Sequence, residues 1–99
     1  MPLVMDPAGD ETRALRQALS WRGKRVLEVG CGDGRLTLRL AQLGARSILG
    51  IDPDAALIRG ARKALPERYR ARIRYQVGSA ERLRKRKDLF DIGVLSWSL

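Results

Sequence analysis

Val26-Leu27-Glu28-Val29-Gly30-Cys31-Gly32-Asp33-Gly34 is the stretch on which the fold turns. A short apolar run, Arg25 to Val29, leads into three glycines spaced one residue apart. Leu36, Leu40 and Leu43 then fall at helical spacing, and Gly44 closes the segment. Strand, tight turn and helix follow one another without a break. Glycine permits a turn with positive φ and lets a ligand come close to the backbone. The start of the helix adds free N–H groups and a partial positive charge.

Working outward, a second strand is expected at Ser47 to Ile51, ending at Asp52. Asp54 caps a helix that runs through Leu65 and stops at Pro66. Ile73 to Val77 reads as a third strand, Ala80 to Arg84 as a short helical turn, and Ile92 to Ser96 as the last strand. Upstream, Asp10 caps an expected helix from Glu11 to Trp21, with Leu15 and Leu19 on one face. Strands and helices alternate, so the class is α/β with a parallel sheet and right-handed crossovers. Residues 1–24 form an N-terminal segment and helix, and residues 25–99 form the ligand-binding portion. Ile92-Gly93-Val94-Leu95 is continuously apolar, as in a strand covered on both faces, yet only four residues follow it. The expectation is a chain cut at Leu99, with a bare outer edge on the last strand through which copies could associate.

Composition narrows the function. The 99 residues are 44% apolar and 31% charged, an ordinary balance for a globular domain. No apolar stretch approaches the roughly 18 residues of a membrane span. The N-terminus carries no export signal, so the cytoplasm is the expected compartment. Cys31 is the only cysteine and there is no histidine, so a small spacer in a tight turn is favoured over a catalytic thiol. The formal charge of +9 comes largely from scattered arginines. Two basic tracts, Arg68 to Arg74 and Arg82 to Lys87, precede strands. They are expected as a solvated rim at the amino ends of the sheet; contact with nucleic acid or a membrane is the less favoured reading.

Asp52 leaves its strand where a carboxylate can accept two hydrogen bonds from a ribose diol, so the ligand expected at the turn is a nucleoside. A dinucleotide fingerprint would place a third glycine at position 35, which is Arg35. Glu28, two residues before Gly30, would repel a pyrophosphate but favour an ammonium group. The acid therefore points to a cofactor with a cationic amino-acid tail.

Glu28-x-Gly30-x-Gly32-x-Gly34 resembles the first motif of class I S-adenosylmethionine-dependent methyltransferases. Asp52, within Gly50-Ile51-Asp52-Pro53-Asp54, looks like that family's ribose-binding acid. Gly78-Ser79-Ala80-Glu81-Arg82-Leu83 is similar to the loop along the adenine, and Phe90-Asp91-Ile92, leading to Leu95-Ser96-Trp97-Ser98-Leu99, matches the fourth strand and its exit. The likeness spans Val26 to Leu99 and is closest to the small-molecule branch that includes the ubiquinone and menaquinone biosynthesis enzymes.

The resemblance implies a Rossmann-like sheet in the order 3-2-1-4, incomplete after its fourth strand, with S-adenosylmethionine lying across the gap between strands 1 and 4. It implies that Gly30, Cys31, Gly32 and Gly34 pass under the methionine portion while Glu28 positions its ammonium. Asp52 and Pro53 would serve the ribose, Ser79 and Ala80 the adenine, and Ser96 the region of the methyl group. No residue is assigned to catalysis and none to a metal. The implied reaction is in-line methyl transfer to an acceptor, expected to be a small molecule. An inactive cofactor-binding fragment and an NAD-type nucleotide module are the alternatives.

Overall fold

The structure, a computed structural model, describes residues 3–5, 20–79, 81 and 87–96. Five parallel strands form one sheet: β1 (Leu3–Met5), β2 (Arg25–Val29), β3 (Ser47–Asp52), β4 (Ile73–Val77) and β5 (Ile92–Leu95). Their spatial order is β1-β5-β2-β3-β4. The four strands expected from sequence are β2 to β5, and they stand in the expected order 3-2-1-4.

Helix α1 (Arg35–Gln42) joins β2 to β3, and α2 (Ala55–Ala64) joins β3 to β4. Gly34, with φ of 89°, turns the chain into α1. At the far end Gly44 N–H donates to Ala41 O and Ala45 N–H to Leu40 O, closing α1 through a left-handed glycine. Asp54 caps α2 as expected, its Oδ1 accepting from Ala56 N at 2.9 Å and Leu57 N at 3.2 Å. From β2 to β4 the chain advances one way across the sheet, so right-handed crossovers put both helices on one face. Leu40 and Ala41 of α1 and Ile58 and Ala61 of α2 pack there on Val26, Ile48, Ile73, Ile92 and Val94. The alternate residues Leu27, Val29 and Ile51 form a second buried cluster with Leu49, Phe90 and Leu95. Both faces of β2 are thus buried, which is why its sequence is a run rather than an alternation.

One expectation is corrected. The outer edge of β5 is not bare: β1 lies along it, pairing Leu3 with Gly93, Val4 with Val94 and Met5 with Leu95. Three apolar residues between Pro2 and Pro7 are too short to show a strand period, so the sequence marks only an N-terminal segment there. An unpaired central strand nevertheless takes whatever extended segment can reach its hydrogen bonds. Self-association through a bare β5 edge therefore loses its premise, and the N-terminal segment contributes to the sheet. The expected helix at 11–21 falls outside the described residues except for Ser20 and Trp21, which are not helical. The turn at 80–84 lies outside them apart from Glu81.

Candidate functional site

The carboxyl ends of β2, β3 and β5 meet at the glycine turn. Gly30 N–H and Cys31 N–H both donate to Ile51 O, at 2.8 and 3.0 Å, so the turn hangs from the end of β3. Gly30, Gly32 and Gly34 have φ of 81°, 55° and 89°, a region that side chains rarely adopt. Space separates two of them. A Cβ on Gly32 would meet nothing within 4 Å, whereas one on Gly34 would collide with the Tyr75 hydroxyl. Gly32 therefore leaves its backbone open to a ligand, and Gly34 is also fixed by packing.

Asp52 ties the turn to β3. Its Oδ2 accepts from Gly32 N at 3.0 Å and its Oδ1 from Asp54 N at 2.9 Å. The side chain is nearly buried, at 8% exposure, and each oxygen can still accept a further donor. Gly78 N–H donates to the main-chain Asp52 O at 3.0 Å, so the exposed Ser79 follows directly after a residue held at the end of β3. Pro53 is exposed on the other side of Asp52. Ala80 lies outside the described residues.

Glu28 is fully buried on the helix side of β2. Its Oε1 accepts from the Thr37 hydroxyl of α1, and its Oε2 accepts from Ser96 Oγ at 2.7 Å. Ser96 follows β5, is held by its own N–H to Val29 O at 3.0 Å, and has its hydroxyl 3.1 Å from Gly30 O. The acid expected to face a ligand is thus built in behind the turn, and Ser96 stands at the turn itself. A carboxylate buried at this depth is tolerable only with such hydrogen bonds.

Burial is the main cause that pushes Tyr75 up to about 12, partly opposed by its hydrogen bond to Thr37. Burial, followed by the charges of Glu28 and Asp52, drives the Cys31 thiol far above its ordinary range. A thiol so placed is no nucleophile at neutral pH. Its contribution is packing, as Gly50 shows: a Cβ there would lie 3.0 Å from the Tyr75 ring and 3.1 Å from Cys31 Sγ. Gly50 lets Tyr75 cross over β3 toward Thr37 and Gly34. Sequence reading missed Thr37 and Tyr75. The available signal was Gly50, since a glycine inside an apolar strand marks a close approach.

At the other end of the sheet several basic residues are engaged by the fold. Arg25 and Asp91 form a two-pronged pair, with Nε–Oδ2 and Nη2–Oδ1 both at 3.2 Å, between the first residue of β2 and the residue just before β5. Arg72 donates to Ala41 O at 2.7 Å and to Ala45 O at 2.5 Å, and together with Arg68 flanks the Tyr69 ring. The first basic tract, expected as a solvated rim, therefore holds one structural guanidinium. The second tract lies outside the described residues except for Lys87. Among the described residues no helix is long and apolar enough to cross a membrane, and no group of three or more His, Cys, Asp or Glu is placed to hold a metal.

A family model described as a methyltransferase domain matches residues 26–99. The ubiquinone biosynthesis O-methyltransferase of Azorhizobium caulinodans is 36% identical over 84 residues, covering 85% of this chain and 31% of that protein. The tRNA U34 carboxymethyltransferase of Pseudomonas paraeruginosa is 54% identical over 33 residues, 33% of this chain and 10% of that protein. Among solved structures, an S-adenosylmethionine-dependent methyltransferase from Mesorhizobium loti superposes with a TM-score of 0.61 and 31% identity, covering 70% of this chain and 31% of its own. The chain spans no more than about a third of the length of these relatives.

Proposed function

This chain belongs to the class I S-adenosylmethionine-dependent methyltransferases, and on that premise we propose that its carboxyl-end site seats S-adenosylmethionine for methyl transfer to a small-molecule acceptor. The observation that carries the reading is Asp52, whose two oxygens brace Gly32 and Asp54 while keeping acceptor capacity for a ribose diol. The rest of the site fits the same ligand. Gly32 leaves open space where the amino-acid portion would pass, and Ser79, next to Gly78 at the end of β3, would serve the adenine edge. Glu28 and Ser96 put negative charge and acceptors where an ammonium would sit. A pyrophosphate would meet the buried Glu28 charge at the same place, which disfavours a dinucleotide.

When bound, S-adenosylmethionine supplies a methyl group activated on a sulfonium sulfur. The residues of this chain orient it: Asp52 through the ribose, and the glycine turn through close backbone approach. Alignment of two reactants can lower a barrier by roughly 7–11 kcal/mol, and this site supplies the alignment of one of them. A small-molecule acceptor is supported by the extent of likeness to the quinone enzyme, 84 residues against 33 for the tRNA enzyme. Calorimetry with S-adenosylhomocysteine and with NAD tests the cofactor. S-Adenosylhomocysteine is expected to bind, with NAD silent at the same concentration; tighter binding of NAD would overturn the reading.

A further inference from the structure

Glu28 is fully buried, so its carboxylate cannot be the group that a ligand touches first. What stands in front of it is the half-buried hydroxyl of Ser96, and that hydroxyl has one proton and three acceptors around it. Glu28 Oε2 lies 2.7 Å away, Gly30 O 3.1 Å and Val29 O 3.5 Å. A charged oxygen at the shortest distance takes the proton over a neutral carbonyl. With its proton turned inward to Glu28, Ser96 offers only lone pairs beside Gly30 O.

The second oxygen of Glu28 decides whether this arrangement holds. Thr37, from the first turn of α1, donates its hydroxyl proton to Oε1. The chain of bonds runs from Thr37 of α1 through Glu28 of β2 to Ser96 after β5. We propose that Thr37 is a positioning residue: by fixing Glu28 it keeps Ser96 as a pure acceptor, which selects a ligand bearing an ammonium group at the glycine turn. This deepens the S-adenosylmethionine reading and rests on it. Thr37 itself touches no ligand in this account; its effect passes through Glu28 and Ser96.

The test uses two probes that share the nucleoside. S-Adenosylhomocysteine carries the ammonium, and 5′-methylthioadenosine lacks the amino-acid tail. By calorimetry, Thr37→Val is expected to weaken S-adenosylhomocysteine by roughly tenfold, the scale of one hydrogen bond to a charged group, and to leave methylthioadenosine unchanged. Thr37→Ser keeps the hydroxyl and should restore affinity. Ser96→Ala is expected to show the same selective loss, and Thr37→Val added to it should cost nothing more, because both lie on one path. Circular dichroism checks that each variant is folded, and the Ser96→Ala arm decides the matter if Thr37→Val is not. Equal weakening of both probes, failure of Thr37→Ser to rescue, or additive losses in the double variant would each reduce Thr37 to a packing residue and overturn the proposal. Failure of the unmodified chain to bind either probe would instead overturn the S-adenosylmethionine reading beneath it.

Discussion

At the carboxyl ends of β2 and β3 the buried charges are carboxylates, Glu28 and Asp52, and their partners are hydroxyls and backbone N–H groups. At the amino ends of the same sheet the charges are mostly guanidinium groups, and their partners are a carboxylate and helix-end carbonyls. The two arrangements differ in what they leave over. Arg72 and Asp91 are engaged by the fold on several atoms each. Asp52 spends one N–H per oxygen and retains capacity for a ligand. Charge at one end therefore serves mainly stability, and at the other it is held ready for binding. Substitutions at the two ends should separate accordingly.

The largest expected effect is at Asp52. Asp52→Ala removes the ribose acceptor and releases Gly32 N and Asp54 N together, so S-adenosylhomocysteine affinity should fall by about 3 kcal/mol, the upper range for stranding groups in a buried site. Asp54→Ala is the control two residues away. It should cost about 1 kcal/mol of folding stability through the lost cap, with a smaller effect on affinity. Calorimetry paired with denaturant melts distinguishes them. Equal affinity losses would mean that the ribose acid has been misassigned.

Arg72 tests the opposite end. Arg72→Leu preserves much of the stem over Tyr69 but takes the guanidinium donor from Ala45 O, just past α1, and leaves Ala41 O with Gly44 N–H alone. Stability should drop by about 2 kcal/mol, within the range for hydrogen bonds to a charged group. The affinity of the surviving folded fraction should not change. A loss of affinity without a loss of stability would erase the division between the two ends.

The carboxyl end was the more legible of the two in sequence, and the reason is geometric. Its elements are local: strand, three glycines and a helix start lie within a few residues, and Asp52 follows directly from the next strand. Asp54 as a cap and Pro66 as a stop could likewise be read from neighbours alone. What escaped depends on contacts distant in sequence. Thr37 sits at an unremarkable helical position, and its role appears only when β2, β4 and the exit of β5 are brought around it. Arg72 looked like one more member of a solvated tract, because nothing local shows that its fork reaches two carbonyls about thirty residues upstream. β1 is three residues long, too short for any period, and owes its conformation to the edge it covers.

The smallest expected effect is the acid response of the Arg25–Asp91 pair. Hydrogen bonds from the Arg25 side chain and from its backbone N–H, at 2.8 Å, hold the Asp91 carboxyl down at about 2, against an ordinary value of 3.8. The folded-state value lies below the unfolded one, so the pair stabilises the fold at any pH above about 4 and loses that contribution as the pH falls toward 2. Both side chains are more than a third exposed, and solvent and salt screen the attraction, so the change should be modest. Thermal melts from pH 5 to pH 2 should show a midpoint that declines through this window. Asp91→Asn should lower the midpoint at pH 5 and flatten part of the decline, while cofactor affinity at neutral pH stays put. If Asp91→Asn instead leaves the acid decline intact, the pH dependence comes from the carboxylates at the other end. Charge there would then be supporting the fold as well as waiting for a ligand, and the contrast between the two ends would be one of degree.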